Sequence, residues 1–190
     1  TSLQGCTLLV MREQGLGDEV MFSSCYQQVV DDARRCVIEC DPRLQQLFVR
    51  SFPGATFYPL ADLHTTAQTD PGVAIDARVY AGSLPYHLRR SAGDFPAHQG
   101  YLKPDPERVA YWRTHLRALG SGLNVGISWR GGTVLTHRER RTLSLTALLP
   151  VLTVPGVRWV NLQYGKRADE IAKLKSSCGI DIVDWPEAID

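Results

Sequence analysis

Short apolar runs and longer stretches with three- and four-residue spacing alternate along the chain. Residues 6–11, Cys6-Thr7-Leu8-Leu9-Val10-Met11, form an apolar run long enough for a strand buried on both faces. A loop with two glycines follows, Arg12-Glu13-Gln14-Gly15-Leu16-Gly17-Asp18, with Asp18 where a helix cap belongs. From Glu19, the residues Val20, Phe22, Tyr26, Val29 and Val30 predict a helix running to about Ala33. Residues 36–40 predict a second strand, and Asp41-Pro42 opens a second helix carrying Leu44, Leu47, Phe48 and Val49. There Asp is the cap and Pro sits in the first turn, where its missing N–H costs nothing. Short strands are expected at residues 55–58 and 73–76, with a break at Gly82-Ser83-Leu84-Pro85.

Tyr101-Leu102-Lys103-Pro104-Asp105-Pro106 reads as a joint stiffened by two prolines. Beyond it the pattern restarts: a helix over 107–119, a strand over 123–129, a basic loop, a helix over about 144–152 and a strand over 157–162. A helix over 168–177 and a strand over 180–183 follow. Strand and helix in alternation predict parallel sheets with right-handed crossovers. The expectation is therefore α/β: a Rossmann-like domain over 1–104 and the first half of a second over 105–190. The start at Thr1 and the closing Trp185-Pro186-Glu187-Ala188-Ile189-Asp190 suggest a fragment.

Composition narrows the partners. With 21 basic and 20 acidic side chains the formal net charge is +1, so no global field gathers nucleic acid, and anion recognition has to be local. No run of eighteen apolar residues is present for a membrane span, and no charged-then-apolar leader argues for secretion. A cytoplasmic location is the expectation. The five cysteines, Cys6, Cys25, Cys36, Cys40 and Cys178, include no Cys-x-x-Cys pair and are read as reduced thiols. The histidines show no metal-ligand spacing, so no metal is expected.

Three loops could carry chemistry. Gly15 and Gly17 let the backbone approach a ligand beyond the end of the first strand, but the third glycine of a dinucleotide fingerprint would fall at Val20. A carboxylate at Asp18 suits accepting a hydroxyl proton better than cradling a pyrophosphate, with plain capping as the alternative. After the strand ending Ser128-Trp129, the loop Arg130-Gly131-Gly132-Thr133, then His137-Arg138-Glu139-Arg140-Arg141-Thr142, gathers four arginines in twelve residues. Guanidinium forks and backbone donors together suit phosphate. The loop Asn161-Leu162-Gln163-Tyr164-Gly165-Lys166 is read either as a nucleobase or ribose contact through Gln163 or as a plain turn.

Six segments occur in an order that is familiar. They are Glu13-Gln14-Gly15-Leu16-Gly17-Asp18-Glu19, Gly82-Ser83-Leu84-Pro85, Gly100-Tyr101-Leu102, Val125-Gly126-Ile127-Ser128-Trp129, Arg141-Thr142-Leu143-Ser144-Leu145 and Leu162-Gln163-Tyr164-Gly165. Together they resemble the glycosyltransferase region of bacterial tetratricopeptide-repeat proteins, which is similar to the heptosyltransferases of glycosyltransferase family 9. The resemblance implies a GT-B fold and metal-independent, inverting transfer of a sugar from a nucleoside-diphosphate sugar to an acceptor hydroxyl on a protein or glycan. It implies Asp18 as general base and Arg140, Arg141 or Arg130 at the donor phosphates, with Gly15, Gly17, Ser128, Gly131 and Gln163 nearby. Two departures stand out: Arg141-Thr142 replaces the family's Arg-Ser, and the later segment that holds the diphosphate is absent. An inactive, self-associating fragment is therefore also expected. A nucleotide-sugar epimerase and a non-catalytic nucleotide-sugar-binding or scaffold module are the rival readings.

Overall fold

The computed structural model describes residues 3–60, 72–131 and 137–188. The chain divides into two compact units, Thr1–Val109 and Ala110–Asp190. Each holds a wholly parallel sheet, which makes the protein a mixed, Rossmann-like α/β chain.

In the first unit the strands are β1 (Thr7–Met11), β2 (Arg35–Cys40), β3 (Ala55–Pro59) and β4 (Ala77–Tyr80), in the order β3-β2-β1-β4. The helices are α1 (Leu16–Phe22), α2 (Tyr26–Asp32), α3 (Pro42–Ser51) and α4 (Leu84–Leu88). Period two in the strands sends Leu8 and Val10, Cys36, Ile38 and Cys40, and Phe57 to one face. There they pack against Tyr26 and Val29 of α2, and against Phe48 and the adjoining Phe52 at the end of α3. Tyr26 meets Phe48 and Phe52 edge-on, with centroids 5.7 and 5.5 Å apart.

Asp41 caps α3 as expected, its side chain accepting from the Arg43 N–H, with Pro42 in the first turn. Three expectations for this unit need correction. The helix expected from Glu19 to Ala33 starts at Leu16 and is broken by a 3-10 turn over Ser23–Cys25. Asp18 does not cap it, because Gly15 occupies the cap position and Asp18 lies inside the first turn. The strand expected at 73–76 lies at Ala77–Tyr80 instead, and Asp76 holds the sheet's entry by accepting the Thr7 N–H at 2.7 Å.

In the second unit, α5 (Pro106–Ala118) enters across the division between the units. Strands β5 (Leu123–Ile127), β6 (Val157–Asn161) and β7 (Ile182–Val183) pair in that order. The expected helix over 144–152 is a 3-10 turn, Leu145–Leu148, capped by Ser144, followed by α6 (Leu149–Leu152). Helix α7 (Ala168–Cys178) ends at Gly179, whose φ of 69° supplies the left-handed C-cap. The core gathers Trp129, Leu145, Leu152, Trp159, Ile171, Leu174 and Ile182. The described cysteines form no disulfide, and burial pushes the Cys36 and Cys40 thiols up to about 12. Among the described residues, no helix is long and apolar enough to cross a membrane.

Candidate functional site

In an open parallel sheet, ligands bind outside the carboxyl ends of the strands, where the strand order reverses. In the first unit that point lies at β1, which has β2 on one side and β4 on the other. The loop leaving β1 carries Arg12 to Gly15, and the turn leaving β4 carries Gly82. Glu13 joins them, its Oε1 accepting the Gly82 N–H at 2.7 Å. A Cβ on residue 82 would lie 2.6 Å from that oxygen and 3.2 Å from Phe22, so a side chain here would displace the Glu13 carboxylate from its bond to the turn.

Consecutive carboxylates on α1 have opposite environments. Asp18 is exposed, and its carboxylate has no partner among the described residues; it folds back towards Gly15, where an added Cβ would meet its Oδ2 at 2.9 Å. Gly17 beside it is exposed and has open space around it. Glu19 is fully buried. Its Oε1 accepts from Arg12 Nε at 2.9 Å, and its Oε2 accepts the Asp41 N–H at 2.8 Å. Arg12, 5% exposed, also donates to Asp41 Oδ2 at 3.3 Å and to the Leu60 carbonyl, while its own N–H reaches Glu39 Oε2 at 3.3 Å. One guanidinium therefore gathers the carboxyl ends of β1, β2 and β3 and the first turn of α1.

Burial pushes the Glu19 pKa up, against the hydrogen bond from Asp41 and the charge of Arg12. The Arg43 guanidinium, bonded to Asp41, holds that carboxyl well below its usual range. This cluster was not anticipated from the sequence. The available signal was an arginine directly after an apolar strand with a glutamate seven residues on, a charge too deep in the pattern to be solvated by default.

The loops leaving β5 and β6 are joined by one side chain. Gln163 is fully buried, and its Oε1 accepts from Ser128 Oγ (3.1 Å), Trp129 N–H (3.1 Å) and Arg130 N–H (2.7 Å). Its Nε2 donates to the Tyr164 carbonyl at 3.0 Å, and its own N–H donates to Asn161 Oδ1 at 2.8 Å. Asn161 in turn donates to Asp184 after β7, which also accepts from Arg167. The Gln163 amide is thus spent on shaping its own loops.

The expected phosphate arginines divide the same way. Arg130 is 15% exposed at its side chain, lies 5.8 Å from the Trp129 ring centroid, and donates to Glu170 and to the Lys166 carbonyl. Trp129 Nε1 holds the other Glu170 oxygen at 2.7 Å. Arg140 and Arg141 are exposed, and their guanidinium groups have no partner among the described residues. Their backbone is anchored instead: Gly131 N–H donates to the Arg141 carbonyl at 3.2 Å, Leu143 N–H donates to Trp129, and Arg130 bridges Thr142. His137 opens this turn with φ 54°, a left-handed conformation uncommon outside glycine. Gly132 and Thr133 lie outside the described residues. The structure thus brings Ser128, Arg130, Gly131, Arg141 and Gln163 together in the second unit, and Gly15, Gly17 and Asp18 together in the first.

A cavity of about 670 Å³ lies elsewhere in the first unit, between α2 and α4 at the amino end of the sheet; none of the expected residues lines it.

Among known proteins, no family matches the chain, and no solved structure does. Protein FlbA of Caulobacter vibrioides is similar, with 35% identity over 205 aligned residues covering 99% of this chain and 33% of FlbA. The chain therefore spans about a third of the length of that relative.

Proposed function

We propose that the chain is the part of a GT-B glycosyltransferase that carries its general base and its first phosphate contacts. The reading rests above all on the split between neighbours on α1. Glu19 is buried in an ion network, while Asp18, one residue before it, has an exposed carboxylate beyond the end of β1 with no partner among the described residues. A capping carboxylate would be a weak base; one left free is available to take a proton.

In this reading the first unit serves the acceptor and the second the donor, a nucleoside-diphosphate sugar. Asp18 takes the proton of the acceptor hydroxyl as its oxygen attacks the anomeric carbon. The bond from that carbon to the diphosphate oxygen breaks, and the sugar inverts. Arg140 and Arg141 neutralise the departing diphosphate, a role their exposed guanidinium groups, without a partner among the described residues, are placed to take. Arg130 serves instead as a structural strut through Glu170. The acceptor is a hydroxyl on a protein or glycan.

The test is titration of the full-length protein with UDP, ADP and GDP by calorimetry, followed by turnover of the matching sugar nucleotides. Expected are binding of one nucleotide, weakened on Arg141→Gln, and turnover lost on Asp18→Asn with binding kept. Nucleotide binding without turnover across a broad acceptor screen would favour a non-catalytic binding module. Full turnover by Asp18→Asn would remove the base from the mechanism.

A further inference from the structure

We infer that Arg12 and Glu19 are the positioning pair of this site: together they fix the rotation of α1 that turns Asp18 outward. The inference rests on the assignment of Asp18 as the base. Helix α1 has seven residues and no side-chain bond at its cap position, Gly15. Its far end is held by Phe22 against the core and by the Tyr101 hydroxyl donating to the Val20 carbonyl at 3.0 Å, and its first turn by the Glu19 carboxylate. Successive helical residues project about 100° apart. With Glu19 pinned inward, Asp18 is carried round to the surface, towards the loop leaving β1.

The pin is made at both carboxylate oxygens. Arg12 Nε and Nη2 both lie 2.9 Å from Oε1, and the Asp41 N–H lies 2.8 Å from Oε2. Arg12 is immobilised in turn by the Leu60 carbonyl and by Asp41, so three strand ends set where Asp18 stands. No substrate contact is assigned to either residue. They act through Asp18.

A lysine at position 12 keeps the charge but loses the planar fork that reaches Glu19, Asp41 and Leu60 at once. A glutamine at position 19 keeps the shape but sets an amide N–H against the Asp41 N–H or against Arg12. Either change lets α1 turn, and displacement of a reacting group by about 1 Å costs on the order of a hundredfold in rate.

The experiment measures nucleoside diphosphate release by the full-length protein from UDP-, ADP- and GDP-glucose, for wild type, Asp18→Asn, Arg12→Lys, Glu19→Gln and Val29→Ala. Val29 is buried in the same core, and its truncation supplies a loss of stability without a link to α1's pin. Expected are kcat values reduced roughly ten- to a hundredfold in Arg12→Lys and Glu19→Gln with donor KM within about twofold, and near-normal kcat in Val29→Ala. Loss of turnover in Asp18→Asn, with Arg12→Lys and Glu19→Gln at wild-type kcat, overturns this inference alone. Equal losses in Val29→Ala and the paired variants also overturn it, because stability would then explain them. Turnover untouched by Asp18→Asn, or absent from wild type with all three donors, overturns the base assignment and the inference with it.

Discussion

Truncating Gln163 to alanine tests whether one amide organises the second unit's loops. The substitution removes the acceptor of two backbone N–H groups, Trp129 and Arg130, and of the Ser128 hydroxyl, and the donor to the Tyr164 carbonyl. Ser128 and Tyr164 are exposed and recover their bonds from water. Trp129 is buried and Arg130 largely so, and a buried donor left unsatisfied costs about 1–3 kcal/mol. The expected loss is therefore about 2–5 kcal/mol, a drop of about 1–3 M in urea midpoint at a typical slope for a small unit. The assay is direct, because all four tryptophans, Trp112, Trp129, Trp159 and Trp185, fall in the second unit. Tryptophan fluorescence thus reads this unit's unfolding alone. Ser128→Ala is the control, removing only an exposed hydroxyl, with an expected change within about 0.5 kcal/mol. Hydrogen exchange should show the Trp129 and Arg130 amides losing protection. A Gln163→Ala midpoint no lower than that of Ser128→Ala would refute the clamp.

Other outcomes follow from the same geometry. Gly82→Ala drives a Cβ into the Glu13 carboxylate and should lower the first unit's melting temperature, whereas Gly17→Ala, in open space within α1, should raise it by up to about 1 kcal/mol of stability. Thermal melts by circular dichroism give both, and equal shifts would contradict the contact. Burial raises the Glu19 pKa above its ordinary 4.5, so the native state keeps a proton that the unfolded chain has released. That contribution is full below pH 4.5 and is lost as pH rises through the native value. Denaturation midpoints followed by circular dichroism should fall across that window, and Glu19→Gln should flatten the slope; an unchanged slope would assign it elsewhere. Arg130→Gln should cost stability through Glu170 and Lys166, while Arg141→Gln should leave stability within about 0.5 kcal/mol and weaken nucleotide binding. The reverse pattern, by denaturation and calorimetry, would exchange their roles.

Much of the fold could be read from hydrophobic period alone. Strand β1 is an apolar run, β2 and β6 carry apolar clusters at Cys36-Val37-Ile38 and Trp159-Val160, and Asp41-Pro42 announces α3 because cap and first turn each demand a distinctive residue. Strand β4 escaped because it is an edge strand with alternating half-exposed positions, so Val73 to Asp76 offered as good an apolar signal as Ala77 to Tyr80. The start of α1 was misplaced because Gly15 caps it with backbone alone, leaving Asp18 as the only side chain resembling a cap. In the candidate site, residue types were legible but commitments were not. Arg130, Arg140 and Arg141 look alike in sequence, and only the position of Glu170, forty residues from Arg130, withdraws one of them from solvent. Glu19 was hidden for the same reason: nothing local says which of two adjacent carboxylates turns inward.

The loops at the strand ends have different centres in each unit taken by itself, an ionic hub around Arg12 in the first and, in the second, the Gln163 amide flanked by the Arg130–Glu170 and Arg167–Asp184 ion pairs. The penalty for keeping charges out of water shrinks on warming, because ion hydration weakens with temperature, and an amide centre gains no such relief. On warming, the ion pairs of both units therefore hold their relative worth, while the Gln163 hydrogen bonds gain nothing from the same effect. A thermal melt followed by the four indoles, all in the second unit, therefore reports the amide centre without a contribution from the ionic hub around Arg12.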